Sequence, residues 1–411
     1  MTLSSKPSQL KIAIVLEKFL PSRGGERYFS LLAEELARMG HEVHVFAAFT
    51  ERVSSCSYGL HRIPILRYPR WLRTLSFLIG SAHVLKSYDF DIVHGVGRSL
   101  AVNVLNPHGG VEKAYLKQEF ASIRSRCYYV YRLGRRYLSA EHYLTLWIQK
   151  RQYQSDTVRR IIAISQMIRG DIIRYYGVPD EKIVVVFNSV DLERFHPRNR
   201  DTYRQAKRMD LGINDATLLL LFVGNNYRLK GVASLLDAMV LLRKWFPTQP
   251  FRLLIAGRGQ IGHYRRMARR IGIFDNVLFL GPVTRIEEYY AASDIYVHPT
   301  FYDSCSLAVL EALATGLPVI TSQFNGAADA IVSDAGGKVI ENPANVQELA
   351  QAIALFFDAN RRNEARDITR KWVEPYSPEY NVEKTLQVYY EAIGDRHVEG
   401  GRFPSGTSAD R

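Results

Sequence analysis

Short apolar runs alternate with longer amphipathic segments from Lys11 onward. Near the start of the chain, KIAIVL predicts a buried strand, residues 26–39 predict a helix closed by Gly40, and HEVHVFAA predicts a second strand. A strand, a helix and a strand in that order predict a parallel βαβ unit. Further strands predicted at 91–94, 160–165 and 183–187 continue the alternation to about Phe195.

A second series of predicted strands follows a polar, basic segment at 196–208, which lacks apolar periodicity and contains Pro197. That segment is predicted to be a linker. The strands of the second series are predicted at 217–224, 252–257, 276–280, 295–298 and 318–322.

The sequence therefore predicts two parallel α/β domains at 1–196 and 209–376, a helix at 377–395 that packs back on the first domain, and a flexible tail at 396–411. Ligands bind beyond the carboxyl ends of parallel strands, so the cleft between the domains is the expected site.

Composition favours a globular protein with two domains. The chain has 411 residues, 47% of them hydrophobic and 23% charged, which argues against disordered and fibrous classes. Cys56, Cys127 and Cys305 are an odd number without a CxxC pair, which fits a reducing compartment. Neither a signal-peptide core nor a run of about 18 apolar residues occurs, so we expect a cytoplasmic protein.

The net charge of +13 points to anionic partners. Residues 111–160 contain 11 Lys and Arg against 4 Asp and Glu, with Tyr and Trp interleaved. Residues 124–136 within this region, together with residues 61–78, suit peripheral association with an anionic membrane surface, although a solvated basic face with core aromatics is the simpler alternative. Nucleic-acid binding also uses basic and aromatic residues, but no nucleic-acid motif accompanies them, and we expect no such partner.

Two loops that follow predicted strands carry glycine or basic residues. After the first strand, Gly24 and Gly25 allow the backbone to approach a ligand, and the next helix offers free amides to an anion. The loop does not match GxGxxG, which argues against a dinucleotide fold, and a plain tight turn is the alternative. In FVGNNYRLKG, Arg228 and Lys230 are placed to neutralise a diphosphate, whereas a solvated surface is the simpler interpretation.

The segment HPTFYDSCSLAVLEALATGLPV, residues 298–319, carries Asp303 and Glu311. If a helix begins near Ser306, its free amides can hold a phosphate, and the two acids suit a sugar and a ribose. The alternative is that Asp303 caps the helix and Glu311 is a satisfied polar residue. Glu311 lies in an apolar run where an unpaired acid is unfavourable, which favours the functional interpretation.

Together with LLIAGRG, FLGPV and VVFNSVDLERFHP, these motifs resemble glycosyltransferase family 4 over nearly the whole chain, most strongly in the second domain. The resemblance implies the GT-B fold, two Rossmann-like doubly wound parallel-sheet domains facing across a cleft, and a retaining mechanism. The family's signature of an acid, seven residues and a glutamate maps onto Asp303 and Glu311. The first acid is usually glutamate, so the donor's hexose contacts are where a difference is expected.

The resemblance also implies roles for individual residues. Glu311 would bind the nucleotide ribose, and Asp303 would bind the donor hexose. The remaining donor contacts implied by the family are the backbone of Ser304, Cys305, Ser306 and Leu307 for hexose and diphosphate, Arg228 and Lys230 for the pyrophosphate, Gly24 and Gly25 in a closing loop, and Arg258 and Val283 near the base.

The family commonly has a histidine near the transferred sugar, and NPHGGVEKAY offers His108 as a catalytic residue with Asp303 and Glu311. A structural histidine is the alternative. Similar lipopolysaccharide-core glucosyltransferases place an acid here, which keeps Glu112 open for an acceptor or proton role. The stretch Asp89-Phe90-Asp91 imitates a metal-binding DxD motif but precedes an apolar strand, so we expect no metal.

The resemblance implies transfer of a hexose, glucose or a related sugar, from a UDP-linked donor to a glycan or glycolipid such as lipopolysaccharide core. No cofactor or metal is expected, and the enzyme would be peripheral on the cytoplasmic face of the inner membrane. The alternatives are a non-catalytic nucleotide-sugar-binding protein and, less favoured, a basic nucleic-acid-binding protein.

Overall fold

The computed structural model describes residues 9–20, 24–51 and 57–394, with only the backbone at 24–27. The predictions for Cys56 and for the tail at 396–411 lie outside these residues. Among the described helices, none combines the length and the apolar character that crossing a membrane requires.

The first domain is built on a parallel sheet of seven strands in the order β3-β2-β1-β4-β5-β6-β7. Its strands are β1 (Lys11–Phe19), β2 (Glu42–Thr50), β3 (Gly59–Arg62), β4 (Ile92–Val96), β5 (Val104–Asn106), β6 (Arg160–Ala163) and β7 (Ile183–Val185). Its helices are α1 (Gly24–Arg38), α2 (Arg70–Leu85), α3 (Glu112–Ala121), α4 (Arg126–Tyr137), α5 (Ala140–Tyr153) and α6 (Gln166–Tyr176).

The second domain is built on a parallel sheet of six strands in the order β10-β9-β8-β11-β12-β13. Its strands are β8 (Leu218–Val223), β9 (Phe251–Ala256), β10 (Val277–Gly281), β11 (Ile295–His298), β12 (Val319–Ser322) and β13 (Gly337–Ile340). Its helices are α7 (Asn199–Asp210), α8 (Val232–Trp245), α9 (Ile261–Arg270), α10 (Ile286–Ala292), α11 (Leu307–Ala314), α12 (Val346–Ala354) and α13 (Ala359–Val373), and α14 (Pro378–Ile393) follows them.

The apolar runs that predicted strands are buried on both faces, as parallel sheets covered by helices require. In β8, the run Leu218–Val223 contributes five buried side chains to the core. Each strand named in the sequence-based prediction is present, within three residues at either end. The prediction missed β3, β5 and β13, which have only three or four residues each.

The predicted linker at 196–208 differs from the structure, because most of it is α7. Arg200, Arg204 and Arg208 are spaced four residues apart and share one face of this helix. All three reach Asp294, with Arg204 Nη2 at 2.7 Å from Oδ1 and Arg208 Nη1 at 3.3 Å from Oδ2. The helix is therefore held to the second domain by ion pairs. Because arginines occupy the packed face, the sequence shows no apolar periodicity there.

Helix α14 returns from the second domain to the first sheet. Its Val382, Leu386 and Tyr389 belong to the same buried cluster as β1 and β2, and the Tyr389 hydroxyl lies 2.7 Å from Nδ1 of His94 in β4. This packing ties the two domains together at the end of the described chain. The domain boundaries inferred from the sequence stay predictions.

Candidate active site

The order of strands reverses once in each sheet, between β1 and β4 in the first domain and between β8 and β11 in the second. Such a reversal opens a crevice beyond the carboxyl ends of the strands, because the loops on its two sides turn in opposite directions. In the second domain, the loop at 224–231 follows β8 and the loop at 299–306 follows β11. These two loops carry the basic and acidic residues that the sequence singled out.

Lys230 and Asp303 meet at this crevice. The Lys230 ammonium lies 2.5 Å from Oδ2 of Asp303 and also donates to the Tyr302 carbonyl at 3.0 Å. The next residue, Gly231, has a φ of +75°, and a Cβ atom there would lie 1.9 Å from the Pro299 carbonyl oxygen. Only glycine permits this approach of the two loops, which brings the lysine to the acid.

A buried histidine completes the cluster. Nε2 of His298 lies 3.5 Å from Oδ2 of Asp303, and Nδ1 lies 3.0 Å from the Tyr296 hydroxyl, which donates to the Val223 carbonyl. Burial would raise the pKa of Asp303, but the charge of Lys230 and the contact with His298 hold that pKa well below its usual range. Burial lowers the pKa of His298, an effect that Asp303 partly opposes. The carboxylate is therefore charged throughout the neutral range.

The backbone around Asp303 is fixed by a short parallel pairing with the loop after β12. The Asp303 amide donates to the Phe324 carbonyl at 2.9 Å, and the Gly326 amide donates to the Asp303 carbonyl at 2.8 Å. The Ser306 amide donates to Oδ1 of Asn325 at 3.2 Å. The loop that enters α11 is thus rigid before any ligand arrives.

Helix α11 begins at Leu307, and among the described residues no acceptor faces the amides of Leu307 and Ala308. Free amides at a helix start attract an anion. Ser304 and Cys305 precede them and contact the first domain through their backbone. Cys305 itself is buried, which raises the pKa of its thiol to about 12 and leaves it unreactive.

Glu311 lies one turn further into α11 and is half-buried. The Tyr290 hydroxyl donates to its Oε2 at 2.9 Å. This hydrogen bond agrees with the simpler interpretation, in which Glu311 is a satisfied polar residue. It also orients the carboxylate. Binding to a ribose and packing against Tyr290 both remain compatible with this geometry.

His108 lies across the cleft, two residues after β5. Its carbonyl accepts a hydrogen bond of 2.8 Å from the Ser304 hydroxyl. Its ring stacks on Tyr28 with 5.5 Å between centroids and contacts the edge of Phe29 at 5.1 Å. Burial lowers the pKa of His108 to about 4, so the imidazole is neutral near pH 7.

Glu112 is the first residue of α3 and forms an ion pair with Arg136 of α4. Burial raises its pKa, and the charges of Arg136 and Arg98 act against that effect. Its carboxylate is therefore engaged by a neighbouring helix in this structure, whereas His108 directly contacts the loop of Asp303.

Arg228 and Lys230, the basic pair predicted in the loop after β8, bind different partners. Arg228 turns away from Lys230 toward α3, where its guanidinium donates to the Glu119 carbonyl at 2.9 Å, to Oε1 of Glu119 at 3.1 Å and to the Ser122 hydroxyl. The Glu119 side chain is buried and pairs with both Arg132 of α4 and Arg228. Arg228 therefore links the two domains in this structure.

The other predicted donor contacts lie at the rim of the crevice. Arg258 follows β9, its amide donates to Oδ1 of Asn225 at 2.7 Å, and its side chain is exposed. Val283 follows β10 and is half-buried. Gly24 and Gly25 were expected in a loop, but the structure makes them the first two residues of α1.

The two domains are joined by residues that sequence analysis did not single out. The Ser165 hydroxyl donates to the Ser304 carbonyl at 2.9 Å, and Nδ2 of Asn188 donates to the Cys305 carbonyl at 3.1 Å. The Tyr302 hydroxyl accepts from the Val111 amide at 3.0 Å. Ser165 and Asn188 follow β6 and β7, so their position after predicted strands could have identified them as residues of the cleft.

The Asp89-Phe90-Asp91 stretch lies at the start of β4, where Oδ2 of Asp91 accepts from the Lys11 amide at 2.8 Å. It serves as the polar entrance to a strand. Within residues 9–20, 24–51 and 57–394, no group of three or more His, Cys, Asp or Glu side chains is arranged to hold a metal ion.

Comparison with known proteins agrees with this fold. Residues 22–194 match the model described as Glycosyltransferase Family 4, and residues 217–358 match the model described as Glycosyl transferases group 1. The lipopolysaccharide glucosyltransferase WaaG of Escherichia coli K12 is 23% identical over 346 residues, which cover 83% of this chain and 88% of WaaG. D-inositol 3-phosphate glycosyltransferase 2 of Catenulispora acidiphila is 32% identical over 217 residues, 50% of each chain.

Solved structures share the architecture over nearly the whole chain. The crystal structure of WaaG, a glycosyltransferase involved in lipopolysaccharide biosynthesis, superposes with a TM-score of 0.76 at 21% identity and covers 92% of this chain and 99% of its own. HepE of Anabaena in complex with UDP and glucose gives a TM-score of 0.69 at 15% identity, with 92% and 99% covered. The expected GT-B fold is confirmed, and the chain belongs to glycosyltransferase family 4 and is a glycosyltransferase.

Proposed function

We propose that this glycosyltransferase transfers a hexose, glucose or a related sugar, from a UDP-linked donor to a glycan or glycolipid such as lipopolysaccharide core, with retention at the anomeric carbon. The observation that carries the proposal is the contact between Lys230 and Asp303 beside the free amides of α11, opposite His108. The names of WaaG as a lipopolysaccharide glucosyltransferase and of HepE as a complex with UDP and glucose support the choice of donor and acceptor.

The donor would lie across the carboxyl ends of β8 and β11. Its diphosphate binds the Lys230 ammonium and the amides of Leu307 and Ala308, which supply positive charge without a metal or another cofactor. Asp303 accepts hydrogen bonds from the hexose hydroxyls and Glu311 from the ribose. Arg258 and Val283 lie beside the base.

Catalysis would rest on orientation and on stabilisation of the leaving diphosphate. The bond between the anomeric carbon and the diphosphate oxygen breaks as the acceptor oxygen bonds to the same face of the sugar. The acceptor's proton passes to the departing phosphate oxygen. His108, neutral near pH 7, orients a donor hydroxyl, and Lys230 holds the negative charge as it develops.

Nucleotide release assays test the proposal directly. We expect release of UDP from UDP-glucose with lipopolysaccharide that ends before its first core hexose, and an α-linked product by NMR. Glu311→Gln should raise the KM for UDP-glucose at least tenfold, while Glu383→Gln, an exposed change on α14, should leave it unchanged. Absence of turnover with UDP-, GDP- and ADP-sugars would reject the proposed donor class.

We also propose peripheral association with an anionic membrane surface through α4. No residue of this helix is buried, and it presents aromatic side chains beside exposed arginines, among them Tyr131 at 57% and Tyr137 at 65% exposure. Aromatic rings and cations together suit the interface of an anionic bilayer. Co-sedimentation should increase with the anionic lipid content of the vesicles, and Tyr131→Ser with Tyr137→Ser should reduce it; independence from anionic lipid would remove this proposal.

A further inference from the structure

A cavity of about 490 Å³ lies between α3 and the loops that follow β11, β12 and β13. Gln118 and Ala121 of α3 form one wall, and Phe301 and Phe324 form the opposite wall. Glu341 lies at the mouth, where the side chains are exposed. The cavity is therefore open to solvent and bounded by both domains.

The lining of this cavity differs in chemistry from the rest of the chain. The chain carries a net charge of +13, yet none of the described residues that line the cavity is Lys or Arg. The half-buried Phe324 ring lies beside amide and carboxylate side chains, and Phe301, which is 6% exposed, also lines the cavity. Rings pack against the C–H faces of sugars, and amides and carboxylates hydrogen-bond to hydroxyls, whereas a phosphate would find no cation here.

The backbone at the mouth of the cavity is hydrogen-bonded while polar side chains there remain available. Nε2 of Gln323 donates to the Glu341 carbonyl at 2.7 Å, and the Glu341 amide donates to Oε1 of Glu348 at 2.6 Å. Among the described residues, the side chains of Gln118 and Glu341 have no hydrogen-bond partner. A fixed backbone with uncommitted polar side chains is suited to binding a ligand with little ordering cost.

The cavity adjoins the predicted reacting centre. The Phe324 carbonyl accepts from the amide of Asp303, and Phe301 lies two residues before that acid. On its other side, α3 ends at Ala121 and α4 begins at Arg126. The cavity thus lies between the site of Asp303 and α4, the helix proposed to contact the membrane.

We infer that this cavity is a subsite for the acceptor, which holds an uncharged, hydroxyl-rich sugar unit of the acceptor glycan. The inference rests on the proposed function, since it assigns the second substrate of the same reaction. Phe324 packs against the sugar ring, and Gln118 and Glu341 bond to its hydroxyls. The acceptor would then reach the reacting centre from the side of α4.

Binding of an acceptor fragment without donor tests the inference. The probe is the oligosaccharide released by mild acid from lipopolysaccharide that ends before its first core hexose, titrated into the full chain by calorimetry. Ala121→Trp fills part of the cavity and should raise the Kd at least tenfold, and Gln118→Ala with Glu341→Ala should raise it about fivefold. The matched control Ala359→Trp, an exposed change at the start of α13, should stay within twofold of the parent protein.

A second measurement separates this inference from the proposed function. The thermal shift caused by UDP should be unchanged in Ala121→Trp, because the change lies outside the donor crevice. If the oligosaccharide fails to bind the parent protein, or if Ala121→Trp and Ala359→Trp have equal effects, the subsite is wrong. If UDP caused no thermal shift in the parent protein, that result would instead contradict the proposed donor.

Discussion

Asp303 keeps its charge in a partly buried crevice because Lys230 and His298 approach the same carboxylate oxygen. The sequence could identify Lys230 and Asp303, since both follow strands at the point where ligands bind in such sheets. It could not identify His298 as their neighbour or separate Arg228 from Lys230. The position of Arg228 depends on Glu119, which is distant in sequence and pairs with it at α3.

Replacing Lys230 with methionine should lower the rate of UDP release by about 100-fold, the typical effect of removing one preorganised group that stabilises developing charge. The change also leaves Asp303 without its ammonium partner. Lys338→Met is the matched control, because Lys338 forms a Lys–Asp pair with Asp334 at the same 2.5 Å but at the surface. A rate within threefold of the parent protein in Lys230→Met would show that this contact does not serve the reaction.

His108 gives a prediction in the pH dependence. Its pKa in the folded protein, about 4, lies below the ordinary value of 6.5, so the unfolded chain binds more protons between these values. Stability from this residue is complete above pH 6.5 and is lost as the pH falls toward 4. The urea midpoint should therefore decrease more between pH 7.5 and pH 5.0 in the parent protein than in His108→Asn. Equal decreases in the two proteins would contradict a lowered pKa for His108.

The helices and strands divide into those that apolar patterns reveal and those that tertiary contacts create. Long buried runs such as β8 were predictable because both faces of a parallel sheet exclude water. The three-residue strand β5 has too few positions to show a period, and it forms because β4 and β6 flank it. Helix α7 escaped prediction because ion pairs with a residue more than eighty positions away replace the apolar stripe.

The anchoring of α7 predicts a large loss of stability in Asp294→Ala. Burial alone would raise the pKa of Asp294, but Arg204 and the Leu219 amide lower it, so the carboxylate is charged. Its removal leaves Arg208, which is 1% exposed, without its buried partner. We expect a loss of about 3–5 kcal/mol in the free energy of unfolding, measured in urea.

Asp215→Ala provides the control for Asp294→Ala. Asp215 also approaches Arg208, at 3.6 Å, but its side chain is 85% exposed. Exposed ion pairs contribute little, so the loss should be below about 1 kcal/mol. Similar losses in the two variants would mean that α7 is held by something other than the buried acid.

At the scale of the whole molecule, two domains meet through the loops at the ends of their strands. The sequence could predict the two sheets and the cleft, because each domain repeats the strand and helix pattern. It could not predict the contacts across the cleft, such as Tyr302 with Val111, because each pairs residues from separate domains. Closure of the site therefore depends on a surface that no local pattern encodes.

Substitutions at Gly110 and Gly109 test this closure, because the first glycine is crowded by the second domain and its neighbour is not. At Gly110, φ is +85° and a Cβ atom would lie 2.2 Å from the Tyr302 hydroxyl, whereas a Cβ at Gly109 meets nothing within 4 Å. Tyr302 precedes Asp303, and its carbonyl accepts from Lys230. Gly110→Ala should therefore displace Tyr302 and lower kcat/KM for UDP-glucose at least tenfold, while Gly109→Ala should stay within twofold.

Backbone strain alone must be separated from the clash in Gly110→Ala. Gly40→Ala serves for this, because Gly40 has a φ of +95° with no atom within 4 Å of a Cβ and lies after α1, away from the cleft. It should lower the free energy of unfolding by about 1 kcal/mol with kcat/KM unchanged. The contrary result is that Gly110→Ala lowers stability alone, as is expected of Gly40→Ala. That result would mean that the structure accommodates the clash without moving Asp303. Contact between Tyr302 and the first domain would then have no part in closing the site.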